Sequence, residues 1–111
     1  MKLHVFCKNK TVLSIVNAKI AKTFKDRLFG LMGRKSMGCG AMVFPNCKAI
    51  HTFFMRFPID VIYINKDMNV IGIEKNLTPW KISKWHPKTY GIIELPIGIL
   101  NAEPFCIKFE E

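Results

Sequence analysis

The sequence predicts a single, mainly β domain: a small barrel-like structure of about seven short strands with one amphipathic α-helix packed on it. Its 111 residues are typical of one domain, and a hydrophobic fraction of 50% is enough for a core without disulfide bonds. Short runs of β-branched and aromatic residues recur between turn residues, as in small barrels and sandwiches. Only one segment has the apolar spacing of an amphipathic helix. We therefore expect residues 1–111 to fold as one unit.

The chain begins with a predicted β-hairpin. Leu3–Cys7 and Thr11–Val16 are rich in β-branched and aromatic residues, and a short polar turn separates them. A second hairpin is predicted where Val61–Ile64 and Val70–Ile73 flank another polar turn. The run Val61–Ile64 is apolar at every position, which predicts a central strand covered on both faces. The remaining strand candidates are Ala41–Phe44, Thr52–Phe57, Thr89–Leu95 and Phe105–Phe109.

The helix is predicted from about Phe24 to Met32. Thr23 and Asp26 have the spacing of a capping box, with aspartate in place of glutamate. Apolar residues then recur at i, i+4, i+7 and i+8, which places them on one helical face. Gly33 follows as a suitable end of the helix.

Positive charge is concentrated in the first half of the chain. The net charge is +9, and the residues up to Ile59 contain 11 Lys and Arg but a single acidic residue, Asp26. A face built from this half would attract anions, acidic proteins or nucleic acid, although scattered lysines also serve solubility. The N-terminus lacks the apolar run of a signal peptide and no segment has the length of a membrane span. We therefore expect a cytoplasmic protein with reduced cysteines.

The densest group of chemically active residue types runs from His51 to Asp60. An imidazole that titrates near neutral pH, oriented by a carboxylate, would provide the general base of a small hydrolase. The structural alternative is that Asp60 accepts backbone N–H groups in a turn and that His51 is an ordinary packed side chain. The sequence leaves both interpretations open.

No metal or cofactor is predicted. Cys39, Cys47 and His51 have a C-x7-C-x3-H spacing, but the paired cysteine knuckles of structural zinc sites are absent. The sequence also lacks a phosphate-binding loop, a dinucleotide fingerprint, a nucleophile elbow and an H-E-x-x-H motif. The common cofactor-dependent enzymes are therefore disfavoured.

The segment Trp80–Lys88 interleaves two tryptophans with three lysines. Single-stranded nucleic-acid binders use this combination, because bases stack on exposed rings while lysines neutralise phosphates. A loop that folds back over the core has a similar composition, and no named nucleic-acid motif is present. Nucleic-acid binding through this segment and the basic half of the chain is thus an alternative that is not favoured; exposed tryptophans would support it.

Five segments of the chain form a recognisable series. They read RLFGLMGR at 27–34, MVF at 42–44, HTFFM at 51–55, PID at 58–60 and ELPIG at 94–98. In this order they resemble domain-of-unknown-function family 192 over nearly the whole chain. The resemblance implies a compact, largely β, barrel-like domain with a helix packed on it, and it implies no activity.

Five polar residues stand out among the positions that match the family pattern, because buried charges are costly unless they are paired. Our leading hypothesis is a non-enzymatic binding module in which these side chains line a groove between the helix and the strands. The ligand would be an anionic small molecule, a peptide segment or a protein partner. The candidate ligand-binding residues are Arg27, Arg34, His51, Asp60 and Glu94.

Overall fold

The computed structural model describes residues 1–22 and 33–111, which form eight β-strands in two sheets. One sheet has three strands in the order β2-β1-β8, and the other has five in the order β3-β4-β7-β5-β6. All neighbouring strands are antiparallel except β3 and β4, which are parallel. The strands are β1 Lys2–Cys7, β2 Val12–Ile15, β3 Ala18–Ile20, β4 Ala41–Pro45, β5 Ile59–Ile64, β6 Val70–Leu77, β7 Gly91–Pro96 and β8 Pro104–Glu110.

This architecture corrects the predicted fold class. The prediction of a mainly β protein is confirmed, but the prediction of a barrel-like domain is wrong. Within the described residues the two sheets do not close on each other, because β6 is an outer strand and a single isolated bridge joins Asn69, just before β6, to Cys106 of β8. The described residues contain no helix. The segment predicted as helical, 24–32, lies outside the described residues, as does Arg27.

Two further strand predictions need correction. One strand of the structure, Ala18–Ile20, was not predicted. It pairs with β4, but its three residues are too few to show the alternating pattern of a strand. The segment Thr52–Phe57 is a loop rather than a strand. Its backbone is held by contacts with a distant part of the chain, described below, which local sequence does not reveal.

Both predicted hairpins are confirmed. β1 pairs with β2, and β5 pairs with β6. In the second turn the side-chain oxygen of Asn65 accepts the backbone N–H groups of Asp67 and Asn69, each at 3.0 Å. Met68 adopts a left-handed φ of 65° there, so the side chain of Asn65 supplies the hydrogen bonds that hold the tight turn.

The five-stranded sheet is covered on both faces. One core cluster lies between the two sheets and includes Ile62 and Ile64 of β5 together with Leu3 and Val5 of β1. A second cluster covers the opposite face. It includes Ile59, Val61, Tyr63 and Ile92 of the sheet, packed with Met37, Cys39, Met55 and Leu77. All six residues of β5 are therefore buried, as the continuous apolar run predicted.

Within residues 1–22 and 33–111 no helix has the length and apolar character needed to cross a bilayer.

Candidate ligand-binding surface

Two loops, 46–58 and 78–90, are joined through one fully buried residue, Thr52. Its backbone N–H donates to the carbonyl of Lys81 at 2.8 Å, and its carbonyl accepts the N–H of Trp80 at 3.0 Å. Its hydroxyl donates to the carbonyl of Thr78 at 2.7 Å and accepts the N–H of Lys81 at 2.9 Å. Every polar atom of Thr52 thus fixes one loop against the other, which meets the hydrogen-bonding requirement of a buried polar residue.

A second connection repeats this arrangement two residues further along. The N–H of Ser83 donates to the carbonyl of Ile50 at 2.9 Å, and the N–H of Ile50 donates to the hydroxyl of Ser83 at 2.8 Å. An isolated antiparallel bridge between His51 and Ile82 lies between the two connections. The loops therefore form a short ribbon outside the sheets.

The ribbon displays large aromatic side chains to solvent. Phe54 is 56% exposed, Trp80 is 59% exposed and Trp85 is 64% exposed. Phe54 and Trp80 both have left-handed backbones, with φ values of 64° and 65°. Such a conformation is costly for bulky residues and persists only where surrounding contacts impose it. Here the hydrogen bonds of Thr52 impose it, because Thr52 accepts the N–H groups of both Met55 and Trp80.

The rings lie in contact with one another. The ring centroids of Phe54 and Trp80 are 4.6 Å apart and tilted by 58°, and those of Phe53 and Trp80 are 6.1 Å apart. Phe53 in turn stacks on His51 at 4.9 Å. Mutual packing of this kind holds the rings in place even though two of them are more than half exposed.

The same two loops carry positive charge and no negative charge. Residues 46–58 and 78–90 contain five Lys or Arg residues and no Asp or Glu. All five are exposed, and within the described part of the chain none pairs with a carboxylate. We call this region the aromatic surface. It comprises Phe53, Phe54, Trp80 and Trp85 with the basic residues Lys48, Arg56, Lys81, Lys84 and Lys88.

One predicted site residue lies at this surface, and the backbone beside a second contacts it. His51 stacks on Phe53, and its Nδ1 accepts the backbone N–H of Phe53 at 3.2 Å. Arg34 is exposed and follows Gly33, whose N–H donates to the carbonyl of Phe54 at 2.8 Å. The structure thus brings the backbone next to Arg34 to the aromatic residues, which the sequence did not connect.

Asp60 and Glu94 do not share a groove. In the pairing of β5 with β7, Asp60 lies opposite Leu95 and Val61 lies opposite Glu94. Because successive side chains of a strand point to opposite faces, the two carboxyl groups lie on opposite faces of the five-stranded sheet. Asp60 faces the three-stranded sheet with Ile62, whereas Glu94 shares the other face with Ile92.

Asp60 serves the backbone. Its Oδ1 accepts the N–H of Asn76 at 2.8 Å and its Oδ2 accepts the N–H of Gly98 at 3.3 Å. No hydrogen bond joins it to His51, although both residues are described. The geometry therefore matches the structural interpretation of Asp60 and gives no base-and-orienter pair for a hydrolase.

Glu94 is the most unusual ionisable group of the described residues. It is 3% exposed, and its Oε2 has no hydrogen-bond partner among residues 1–22 and 33–111. The residues directly opposite it on the neighbouring strands, Met42 and Val61, are apolar. Burial raises the pKa of Glu94 from 4.5 to about 8, because a carboxylate is poorly solvated in this environment. At neutral pH this side chain is mostly a neutral acid.

The remaining chemistry-bearing residues do not converge. Among residues 1–22 and 33–111, no three His, Cys, Asp or Glu side chains form a group that could hold a metal ion. The thiol of Cys39 donates to the carbonyl of Ala41 at 3.3 Å.

Sequence reasoning singled out Trp80–Lys88 but missed the residue that organises it. Thr52 carries no signal in the sequence, because its role depends on contacts with residues 26 to 29 positions away. The left-handed backbones of Phe54 and Trp80 are equally invisible, since neither residue type favours that conformation.

Comparison with known proteins identifies the family. The model of domain-of-unknown-function family 192, described as "Uncharacterized ACR, COG1430", matches residues 5–104. The chain belongs to this family. The family 192 assignment confirms the resemblance in the sequence, and the name carries no activity.

Similar proteins have names of the same kind. The UPF0127 protein of Pyrococcus furiosus is 33% identical over 78% of this chain and 78% of its own length. The UPF0127 protein of Thermococcus sibiricus is 37% identical over 77% of this chain, which covers 60% of that protein.

Two solved structures share the fold of this family 192 chain. One is described as a putative transcription regulator from Sinorhizobium meliloti, with a TM-score of 0.83, 19% identity, and coverage of 96% of this chain and 91% of that one. The other is a protein of unknown function from Novosphingobium aromaticivorans, with a TM-score of 0.80, 18% identity, and coverage of 98% and 84%. At this level of identity the likeness concerns the fold alone.

Proposed function

We propose that this chain is a binding module for single-stranded nucleic acid and that the aromatic surface is its contact site. The observation that carries the proposal is the combination, on the same two loops, of exposed, mutually packed rings with five exposed basic residues that pair with no carboxylate among residues 1–22 and 33–111. It retains the anionic ligand of the leading sequence hypothesis. It replaces the groove between helix and sheet with a surface made of described residues.

The aromatic residues provide the first line of support. Phe54, Trp80 and Trp85 expose more than half of their surface, and rings of this size are normally buried in the core of a domain. Phe54 and Trp80 are held by the Thr52 hydrogen bonds in a costly conformation, so their exposure is built into the loop. Exposed and fixed rings are suited to stacking with bases.

The basic residues provide the second line of support for the proposal. The three ion pairs of the described residues lie on or beside the three-stranded sheet: Lys2 and His4 pair with Glu110 across β1 and β8, and Lys8 pairs with Glu103 just beyond the ends of these strands. The basic residues of the aromatic surface have no carboxylate partner in the described part of the chain, where Lys48 donates to the carbonyl of Pro87, and they can therefore contact phosphates. A peptide ligand would use the rings but would have less need of five uncompensated positive charges.

The catalytic alternative has less support. A hydrolase using His51 and Asp60 requires the two side chains within hydrogen-bond reach. Each instead contacts backbone N–H groups, those of Phe53 for His51 and those of Asn76 and Gly98 for Asp60.

The test is a binding titration monitored by fluorescence anisotropy. A labelled single-stranded oligonucleotide of about 12 nucleotides matches the site sizes of small binding domains. We expect saturable binding whose affinity falls about 50-fold between 50 and 200 mM salt, since a single strand held by about four phosphate contacts releases that many counterions. Trp80→Ala should weaken binding about tenfold, the loss expected for one stacked base.

Matched controls separate the surface from general charge and exposure. Lys81→Ala should lower affinity and the salt slope, whereas Lys108→Ala removes an equally charged, exposed residue of β8 and should leave both unchanged. Val16→Ala removes an apolar side chain that is 69% exposed and lies outside the two loops, so it should leave the affinity unchanged. No saturable binding, or equal losses for Lys81→Ala and Lys108→Ala, would refute the proposal. Binding of a peptide instead of the oligonucleotide would refute it in favour of the peptide hypothesis.

We propose a cytoplasmic location with this function, since single-stranded RNA is available there. Fractionation of cells that carry a tagged full-length chain would test it. Recovery in the membrane or exported fraction would contradict it.

A further inference from the structure

We infer that a pocket beside Trp85 is a nucleobase site that accepts one unstacked base together with its phosphate. This inference rests on the proposed function and names the ligand class of one part of it. We call the feature the Trp85 pocket. It lies between β6 and the segment 84–86 and is lined by Tyr63, Ile71, Gly72, Ile73, Lys84, Trp85 and His86.

The walls of the Trp85 pocket are aromatic and apolar. Trp85 forms one side, and the ring of Tyr63 lies beneath Gly72, its partner in the pairing of β5 with β6. A methyl group added at Gly72 would lie 3.5 Å from Cδ2 of Tyr63, an ordinary van der Waals distance. The pocket thus exists partly because residue 72 has no side chain to occupy it.

The floor is held by one oxygen of a carboxylate that lies behind it. Oε1 of Glu74 accepts the hydroxyl of Tyr63 at 2.5 Å and the backbone N–H of Lys84 at 3.1 Å. These two bonds tie β5, β6 and the segment at residue 84 together. The orientation of the Tyr63 ring is therefore fixed before any ligand enters.

The size of the pocket restricts the ligand. Its volume is about 220 Å³, below the range of about 300–1,000 Å³ typical of sites for drug-sized molecules. A single planar ring system fits, with the rest of the ligand left in solvent. This is the shape of one nucleotide whose base is buried while its sugar and phosphate stay outside.

The rim of the pocket is suited to the phosphate. Lys84 is exposed and contributes an ammonium group. Nδ1 of His86 accepts the backbone N–H of Lys88 at 3.1 Å, so a neutral His86 carries its proton on Nε2 and retains a donor. None of the described residues that line the pocket is acidic. An apolar peptide side chain would occupy the same walls without using this rim.

A variant of Gly72 tests the site directly. The reporter is Trp80→Phe, in which Trp85 is the only tryptophan, and the probe is adenosine monophosphate. We expect the nucleotide to quench Trp85 fluorescence. Gly72→Val in the same background should weaken nucleotide binding at least about tenfold, since stacking on one ring gives up to about a hundredfold affinity. Valine suits a strand, and Gly72 does not have a left-handed backbone.

Matched measurements make the outcome specific. Ile97→Ala alters an exposed apolar residue that does not line the pocket and should leave quenching unchanged. Adenosine without phosphate should bind less tightly than the monophosphate, and Lys84→Ala should remove that difference. Trp85→Ala, followed by calorimetry, provides a second test if Gly72→Val fails to fold.

The two proposals fail in different ways. If the oligonucleotide binds but the monophosphate does not, and Gly72→Val binds the oligonucleotide like the parent, the nucleobase pocket is refuted and the aromatic surface stands. If the monophosphate binds and Gly72→Val abolishes it while the oligonucleotide does not bind, the pocket stands and the proposed function is refuted. Binding of neither ligand refutes both.

Discussion

Asp60 and Glu94 lie on adjacent strands of the same sheet, are both 3% exposed, and have opposite environments. Asp60 accepts two backbone N–H groups, from Asn76 in β6 and from Gly98 in the turn after β7. Glu94 has an Oε2 atom without a hydrogen-bond partner in the described part of the chain and lies between apolar residues of β4 and β5. One carboxylate completes the backbone bonding of its surroundings, and the other interrupts an apolar face.

The contrast between Asp60 and Glu94 identifies the buried polar residue that the fold requires. A carboxylate that satisfies two N–H donors stabilises the region around it, since those donors would otherwise be buried without acceptors. A carboxyl group without a partner costs free energy and contributes little packing that an apolar side chain could not supply. Asp60 is therefore explained by the fold, whereas Glu94 is not.

The largest expected effect is the dependence of stability on pH. The pKa of Glu94 is raised by burial to about 8 from 4.5. The protonated carboxyl group contributes stability that is fully present below pH 4.5 and is lost as the pH rises to about 8. The free energy of unfolding should fall by about 1.4 kcal/mol per pH unit between these values. Urea unfolding at a series of pH values measures this slope.

Glu94→Gln is the matched control for the pH series, because it keeps the shape and cannot ionise. The unfolding free energy of the parent relative to the variant should fall between pH 4.5 and about 8 and stay constant at higher pH. A constant difference from pH 5 to 8 would contradict the assignment.

The next effect concerns Asp60. Asp60→Ala leaves the N–H groups of Asn76 and Gly98 without an acceptor and should destabilise the fold by about 3 kcal/mol. Asp60→Asn keeps one acceptor oxygen and should cost less. Unfolding titrations of both variants at pH 7 measure the losses. A loss below about 1 kcal/mol for Asp60→Ala would mean that water replaces the carboxylate.

Thr52 extends the comparison to a neutral group. Thr52→Val keeps the shape but removes the hydroxyl bonded to the carbonyl of Thr78 and the N–H of Lys81. The cost should be about 2 kcal/mol, less than for Asp60 because neither partner is charged. Tryptophan emission should also change, since the backbone N–H of Trp80 donates to the carbonyl of Thr52. Unchanged emission and stability would show that the backbone bonds of Thr52 suffice to hold the loops.

These residues also show which features of the fold and of the candidate site can be predicted from the sequence. The central position of β5 and its hairpin with β6 follow from a continuous apolar run and a polar turn, which are local signals. The backbone role of Asp60 was one of two interpretations that the sequence left open. Separation of Asp60 from Glu94 depends on the register of β5 against β7, and the ribbon depends on pairing between distant loops. Neither has a local signal, so the predicted groove joined side chains that the fold separates.

The smallest effect decides what Glu94 is for. At pH 4 the carboxyl group is largely protonated in folded and unfolded chains alike, so its burial costs only an unsatisfied neutral group. Glu94→Met, of similar length, should then stabilise the fold by about 1 kcal/mol in urea unfolding, because the thioether needs no hydrogen bond. A loss of stability would instead show that Glu94 is a working part of the core. A gain in stability would mean that the carboxyl group of Glu94 destabilises the fold, as expected of a group whose role is functional and not structural.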